Sequence, residues 1–154
     1  MNRYKFEIRE GGSAMDAKTY LMQITNIDQQ INCKLEQLGR LRALATHTTS
    51  TFSDMPKSHN NDSRLEDTVL KIIDMEHSID EEIDKLVDLK AEVRKQISLL
   101  PDARCRLILE EKYLNGETWE GIAADLGYTV RNVQILHGKA LQEFQVPEKY
   151  DETA

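Results

Sequence analysis

Along most of the chain, apolar residues return at alternating steps of four and three. From Met15 onward the series Tyr20, Ile24, Ile27, Ile31, Leu38, Leu41 and Ala45 marks one face of a helix. Lys34 stands once where an apolar residue is due, and Leu35 widens the stripe. Asp16 is placed to cap this helix, since its carboxylate can accept from free first-turn amides. From Thr46 to Ser63 the pattern lapses into Ser, Thr, Asn and Asp with Pro56, residues that bond their own backbone and bury little. A polar loop is therefore predicted over 46–63. The alternation resumes with Leu65, Val69, Ile72, Ile79, Ile83, Leu86, Val93, Ile97 and Leu100. Glu76 and Lys90 take two seats of this seam, while Met75 and Leu89 lie beside them. Two such stripes joined by a loop predict a long antiparallel coiled-coil hairpin over 15–100. A pair of helices cannot cover its own stripe fully, so a homodimer is expected.

Pro101 ends the second helix because its ring clashes with the preceding turn, and it is equally suited to open the next one. "PDARCRLILEEKYL" then reads as a helix stopped at Asn115-Gly116. Two short helices follow, with Thr118 and Thr129 as N-caps and Gly127 between them. Around that glycine, Trp119, Ile122, Ala123, Leu126, Val133 and Leu136 have the spacing of a helix-turn-helix core. The small Ala123 fits where two steeply crossed helices touch, and Gly127 fits a turn that needs positive φ. Residues 101–146 are thus expected to be a helix-turn-helix domain and 147–154 a disordered tail. At the other end, Tyr4, Phe6 and Ile8 alternate like a strand before a "GGSA" hinge. Residues 1–14 read as an arm or an expression remnant.

The fold class expected is all-α. Composition agrees, with 40% hydrophobic and 31% charged residues in 154. No apolar run approaches the roughly 20 residues of a membrane helix, and the start has no secretory apolar core, so a cytosolic protein is expected. Cys33 and Cys105 lack metal-ligand or C-x-x-C spacing and read as reduced thiols. The histidines, His47, His59, His77 and His137, belong to no catalytic signature. Asp74-Glu76-His77 is a solvated helix face rather than a metal cluster, because neighbouring helix residues point apart. The sequence reads as that of a non-enzyme without metal or cofactor.

The net charge of -7 limits any nucleic-acid role to a local patch. The last helix supplies one, since no acidic residue falls between Thr129 and Gln142. Its expected outward side carries Val130, Arg131, Gln134, Ile135, His137 and Lys139. Arg131 and Gln134 suit paired bonds to purine edges in the major groove of double-stranded DNA. Thr129 and nearby amides suit a phosphate, His137 and Lys139 the backbone, and Val130 or Ile135 a thymine methyl. Glu117 and Glu120 lie close by and oppose phosphate.

The segment "LPDARCRLILEEKYLNGETWEGIAADLGYTVRNVQILHGKALQEF" resembles the fourth region of sigma-70-type factors, which reads the -35 promoter element. The matching positions are Tyr113, Leu114, Gly116, Thr118, Trp119, Glu120, Ile122, Ala123, Leu126, Gly127, Ala140 and Leu141. With the hairpin before it, the chain from about Asp16 to Phe144 is similar to phage and prophage sigma-70 region-4-like transcriptional regulators of Gram-positive bacteria, near the ArpU-type and RinA-type late regulators. The resemblance implies a regulator of phage genes. Two departures are visible: Val130-Arg131 stands where sigma reading helices often carry an Arg-Glu pair, and basic residues are fewer. Docking elements for other sigma regions are missing, which fits an activator or accessory protein. Two rival readings share these features. One is a small terminase-like DNA-packaging protein, which forms larger rings. The other is an adaptor whose region-4-like module binds host RNA polymerase.

Overall fold

The computed structural model describes residues 16–50 and 59–147. Among them every regular element is helical and none is a strand: α1 (Ala17–Ser50), α2 (His59–Ser98), α3 (Ala103–Leu109), α4 (Trp119–Leu126) and α5 (Val130–Glu143). A single π turn, Glu110–Leu114, extends α3. The strand pattern at Tyr4, Phe6 and Ile8 and the segment 148–154 lie outside the described residues. No described helix is long and apolar enough to cross a membrane.

Asp16 caps α1, its Oδ1 accepting from the Thr19 amide at 2.6 Å. Both long helices run further than the sequence pattern indicates. Helix covers residues 46–50 and 59–63, which were assigned to the polar loop, and 51–58 lie outside the described residues. Thr46 shows why a polar residue need not end a helix: its hydroxyl donates to the Arg42 carbonyl at 2.9 Å, one turn back.

α1 and α2 lie side by side and antiparallel, since Lys34 meets Ser78 and Glu82 while Arg42, further along α1, meets Glu76. On α1 the buried seats are those of the heptad stripe, Tyr20, Ile24, Ile31 and Leu38, with Ile27 packed against them. On α2 the seam is rotated from the one read in the sequence. Val69 and Ile83 are exposed, whereas Ile79, Leu86, Leu89, Val93 and Ile97 are buried and Met75 packs against them. The cause is Lys34. Its ammonium sits half-buried between the helices and needs acceptors, which it finds in Ser78 Oγ at 2.7 Å and Glu82 Oε1 at 2.5 Å. Turning Ser78 and Glu82 inward to meet it carries Val69 and Ile83 out.

Where α1 begins and α2 ends, the hairpin shares its core with the rest of the chain. Tyr20, Leu21, Val93, Ile97 and Leu100 form one buried cluster with Cys105, Leu109, Tyr113, Leu114, Ala140 and Phe144. The Tyr20 and Phe144 rings lie 6.0 Å apart between centroids. The boundary expected at residue 101 therefore falls inside a continuous core.

The π turn fits this packing. In a plain α-helix, Ile108 and Leu109 would share their face with Lys112 and Tyr113. One extra residue in the turn moves the shared positions to Tyr113 and Leu114, both buried, and lets Lys112 swing out. The Asn115 amide reaches back five residues to the Glu110 carbonyl at 3.0 Å. Gly116 then turns the chain at φ 75.

The Lys34 contact yields a test. Lys34→Ala leaves the Glu82 carboxylate inside the hairpin without its cation and is expected to cost about 1–2 kcal/mol, because the pair is only partly buried. Lys34→Met with Glu82→Leu should recover most of that loss. Urea unfolding followed by circular dichroism measures both.

Candidate nucleic-acid interface

The C-terminal elements are built from two caps and one glycine. Thr118 Oγ1 accepts from the Gly121 amide at 3.1 Å and starts α4; Thr129 Oγ1 accepts from the Asn132 amide at 3.2 Å and starts α5. Between them Gly127 adopts the left-handed conformation, φ 66, and returns its amide to the Ala124 carbonyl at 3.2 Å. The two helices close over a second small core. Ile108, Ile122, Ala123 and Val133 are buried there, and Trp119, Leu126, Val130 and Leu136 pack against them. All six apolar residues singled out from the sequence meet in this cluster, with Gly127 at the turn.

α5 packs on α3 and α4 along one side and on α1 near its end. The opposite side is open. Arg131, Asn132, Gln134, Ile135 and Gly138 are exposed, Ile135 by 61%. Arg131 makes no ion pair among the described residues. The Thr129 hydroxyl uses its oxygen as the cap and keeps its proton for an outside acceptor. This face therefore offers a free guanidinium, two carboxamides, an aliphatic side chain and a hydroxyl donor at a helix N-terminus.

Three residues placed on this face by the sequence pattern are arranged differently. Val130 packs against the second core and is only partly exposed. Lys139 is exposed, but its ammonium pairs with Asp102 at 3.2 Å and with Glu143 at 3.9 Å. His137 points inward. Its Nε2 lies 2.9 Å from the Tyr113 hydroxyl, and its ring meets Trp119 edge-on at 4.8 Å. Burial, with help from the Lys18 and Lys112 charges, pushes His137 down to about 4. A neutral, enclosed imidazole cannot serve as a phosphate cation, so His137 belongs to the support of α5 rather than to its open side. The π turn brings Tyr113 to this place, a shift that helical periodicity does not anticipate.

Other contacts stiffen the same region. Lys112 stands over the Trp119 ring at 4.5 Å and donates to the Glu117 carbonyl at 3.0 Å. Asp102 caps α3 through the Arg104 amide at 3.0 Å and also binds the Arg104 guanidinium at 3.1 Å. These bonds hold the Asp102 carboxyl well below the usual carboxylate range. The Asp102 carboxylate, and after it the nearby Tyr128 side chain, raise Arg104 above its ordinary value, which places a cation of α3 beside the turn. Neither Arg104 nor Asn132 was singled out in the sequence. Asn132 was legible from helix geometry, one position on from Arg131; Arg104 was not, because only the packing of α3 brings it there. Asp102 offsets both Arg104 and Lys139, so Arg131 is the unpaired cation of the α5 face. Glu117, Glu120 and Asp125 are exposed on or beside α4.

Among the described residues no group of His, Cys, Asp and Glu could hold a metal ion. Glu76, weighed earlier beside Asp74 and His77, is engaged by Arg42. Cys105 is buried and Cys33 exposed, both as free thiols. No protein family, curated protein or solved structure matched the chain.

Two outcomes are expected here. Gly127→Val forces a β-branched residue into the left-handed region and should destabilise the turn by at least about 1–2 kcal/mol, read as a lowered melting temperature. The second concerns pH. His137 is neutral when folded and binds a proton near its usual value, about 6.5, when unfolded. Its contribution is complete above about pH 6.5 and is lost as pH falls toward 4, amounting to about 2–3 kcal/mol. Urea midpoints of the wild type and His137→Phe, compared between pH 7 and pH 4, should show the smaller decline in the variant.

Proposed function

We propose that this chain is a sequence-specific regulator of phage transcription that binds double-stranded DNA in the bacterial cytosol. In this reading α4 and α5 form a helix-turn-helix of the sigma-70 region-4 kind, and α5 enters the major groove. α1 and α2 act as an antiparallel coiled coil that pairs two copies and spaces their reading helices. The observation that carries the reading is the open side of α5, exposed from Arg131 to Gly138 and free of acidic residues in a chain of net charge -7.

The chemistry of that side suits base edges. An unpaired guanidinium can make two parallel bonds to guanine, and a carboxamide can do the same with adenine. Asn132 and Gln134 both supply carboxamides, and Ile135 supplies a surface for a thymine methyl. Thr129 and the first amides of α5 would hold a phosphate and set the depth of entry. Few free cations accompany these groups, so discrimination between sequences would rest on base contacts more than on charge. Val130, Lys139 and His137 take lesser parts: the first two are engaged within the fold, and His137 holds α5 in place.

A second reading is favoured by one observation, the exposed acids Glu117 and Glu120 at the start of α4. An acidic rim beside the reading helix suits a protein partner, in which case the module would be an adaptor on host RNA polymerase. A small terminase-like packaging role would instead require a large ring.

Selection of bound duplexes from a random pool tests the main reading, and an enriched motif is expected. On that motif, Arg131→Ala combined with Gln134→Ala should weaken binding by about 10- to 100-fold at unchanged helicity, as the loss of one or two paired base contacts requires. The salt dependence should be shallow, corresponding to about two to four neutralised phosphates per copy. Full binding by the double variant, measured by fluorescence anisotropy, would reject the assignment of α5 as the reader.

A further inference from the structure

The rotation of the α2 seam leaves a second stripe on the outside of the hairpin. Val69, Ile73, Glu76, Asp80, Ile83 and Val87 follow one another at steps of four, three, four, three and four, which places them in one row along α2. The four apolar members are exposed by 44%, 43%, 40% and 59% in chain order. On α1 the adjoining row is Leu35, Gly39 and Arg42, at steps of four and three. The Arg42–Glu76 ion pair, at 2.5 Å, bridges the two rows and fixes them on the same side of the hairpin. Gly39 has open space where a side chain would stand. This side of the hairpin thus sets an apolar α2 row, interrupted by Glu76 and Asp80, beside an α1 row in which Leu35 stands among Asn32, Gly39, Arg42 and Thr46, while the far flank of α2 carries Asp67, Lys71, Asp74, Glu81, Lys85 and Asp88, all exposed.

The α2 row reads the same in both directions: apolar, apolar, acidic, acidic, apolar, apolar, with symmetric spacing. Laid antiparallel on a second copy, Val69 meets Val87, Ile73 meets Ile83 and Glu76 meets Asp80. The charges are partly offset in this register, two arginines standing against four carboxylates. Arg42 stands level with Glu76, so it would also stand opposite the Asp80 of the other copy, and Asp80 makes no ion pair among the described residues of its own chain. Each central pair of acids thus gains an arginine. The row is about 27 Å long at about 1.5 Å per residue, on a two-helix face roughly 20 Å wide. That gives on the order of 500 Å² per copy and about 1,000 Å² in total, the lower bound for a biological interface and the size of a weak dimer.

We infer that a second copy of this chain docks on the Val69–Val87 side of the hairpin, α2 antiparallel to α2 about a two-fold axis near Ser78, to form a four-helix bundle. This makes specific the self-association within the proposed function and rests on that part of it, not on DNA binding. Such an interface is isologous: each residue of the row meets a partner in the same row, and the assembly closes at two.

Sedimentation of the full chain at tens of micromolar should give a dimer. Ile73→Glu, which alters an exposed side chain and should leave helicity intact, places a carboxylate against the Ile83 site and should raise the dissociation constant at least about tenfold. Register is read by cysteines in a Cys33→Ser background. Val69→Cys chains mixed with Val87→Cys chains should cross-link to each other under mild oxidation, and neither should cross-link alone. A monomeric wild type, an Ile73→Glu dimer of unchanged affinity, or efficient self-cross-linking of Val69→Cys would each overturn the proposal. The cysteine experiment decides even if Ile73→Glu fails to fold. Binding to the selected duplex, measured in parallel, separates the two readings: a chain that binds DNA as a monomer rejects this interface and leaves the reader in place.

Discussion

Tyr20 and Phe144 pack at a tilt near the base of the hairpin, in the core that joins it to the C-terminal helices. Tyr20 comes from the first turns of α1, Phe144 from the end of α5, and both are buried in a cluster that includes the end of α2 and the start of α3. Without this core α5 would be tied only to α3 and α4, through a cluster of four buried residues. With it, the long hairpin and the short C-terminal helices share one buried core. Burial of large apolar side chains at about 25 cal/mol per Å² makes such a junction stiff compared with a peptide linker.

The supports of α5 are graded along its length. Its C-terminal end is held in the large core by Ala140 and Phe144; its middle rests on His137 between Tyr113 and Trp119; its N-terminal end has only the Thr129 cap and the small core. Exposure runs the other way, with Arg131, Asn132, Gln134 and Ile135 near the start. A helix anchored at one end and open at the other exposes the outer side of its first two turns while keeping its seat. His137 is central because its half-buried imidazole favours the neutral form in this place, with Tyr113 as its polar partner.

Much of this was legible in the sequence, for definite reasons. The α1 seam, the caps Asp16, Thr118 and Thr129, and the turns at Gly116 and Gly127 depend on local spacing and backbone preference. The apolar set from Trp119 to Leu136 is a short-range pattern of the same kind. What escaped depended on a partner elsewhere in the chain. The α2 seam turned because Lys34 on α1 required acceptors. His137 turned in because a π turn, invisible to a period of 3.6, delivered Tyr113 to it. Lys139 was engaged because Asp102, distant in sequence, lay beside it. The helical extension through 46–50 and 59–63 runs against turn preference, since Ser, Thr, Asn and Asp favour turns, although Thr46 satisfies its hydroxyl within the helix.

The π turn has a consequence of its own. It amounts to a single-residue insertion in an otherwise regular helix, and removing any one of residues 110–112 would undo it. If Lys112 were deleted, Tyr113 and Leu114 would fall four residues after Ile108 and Leu109, and an unbroken α-helix would carry the same buried set. The lost parts would be the ammonium over Trp119 and its bond to the Glu117 carbonyl, which brace the start of α4. The chain thus lies one residue away from a simpler helix with the same core, and Lys112 is the residue whose loss would also remove the brace on α4.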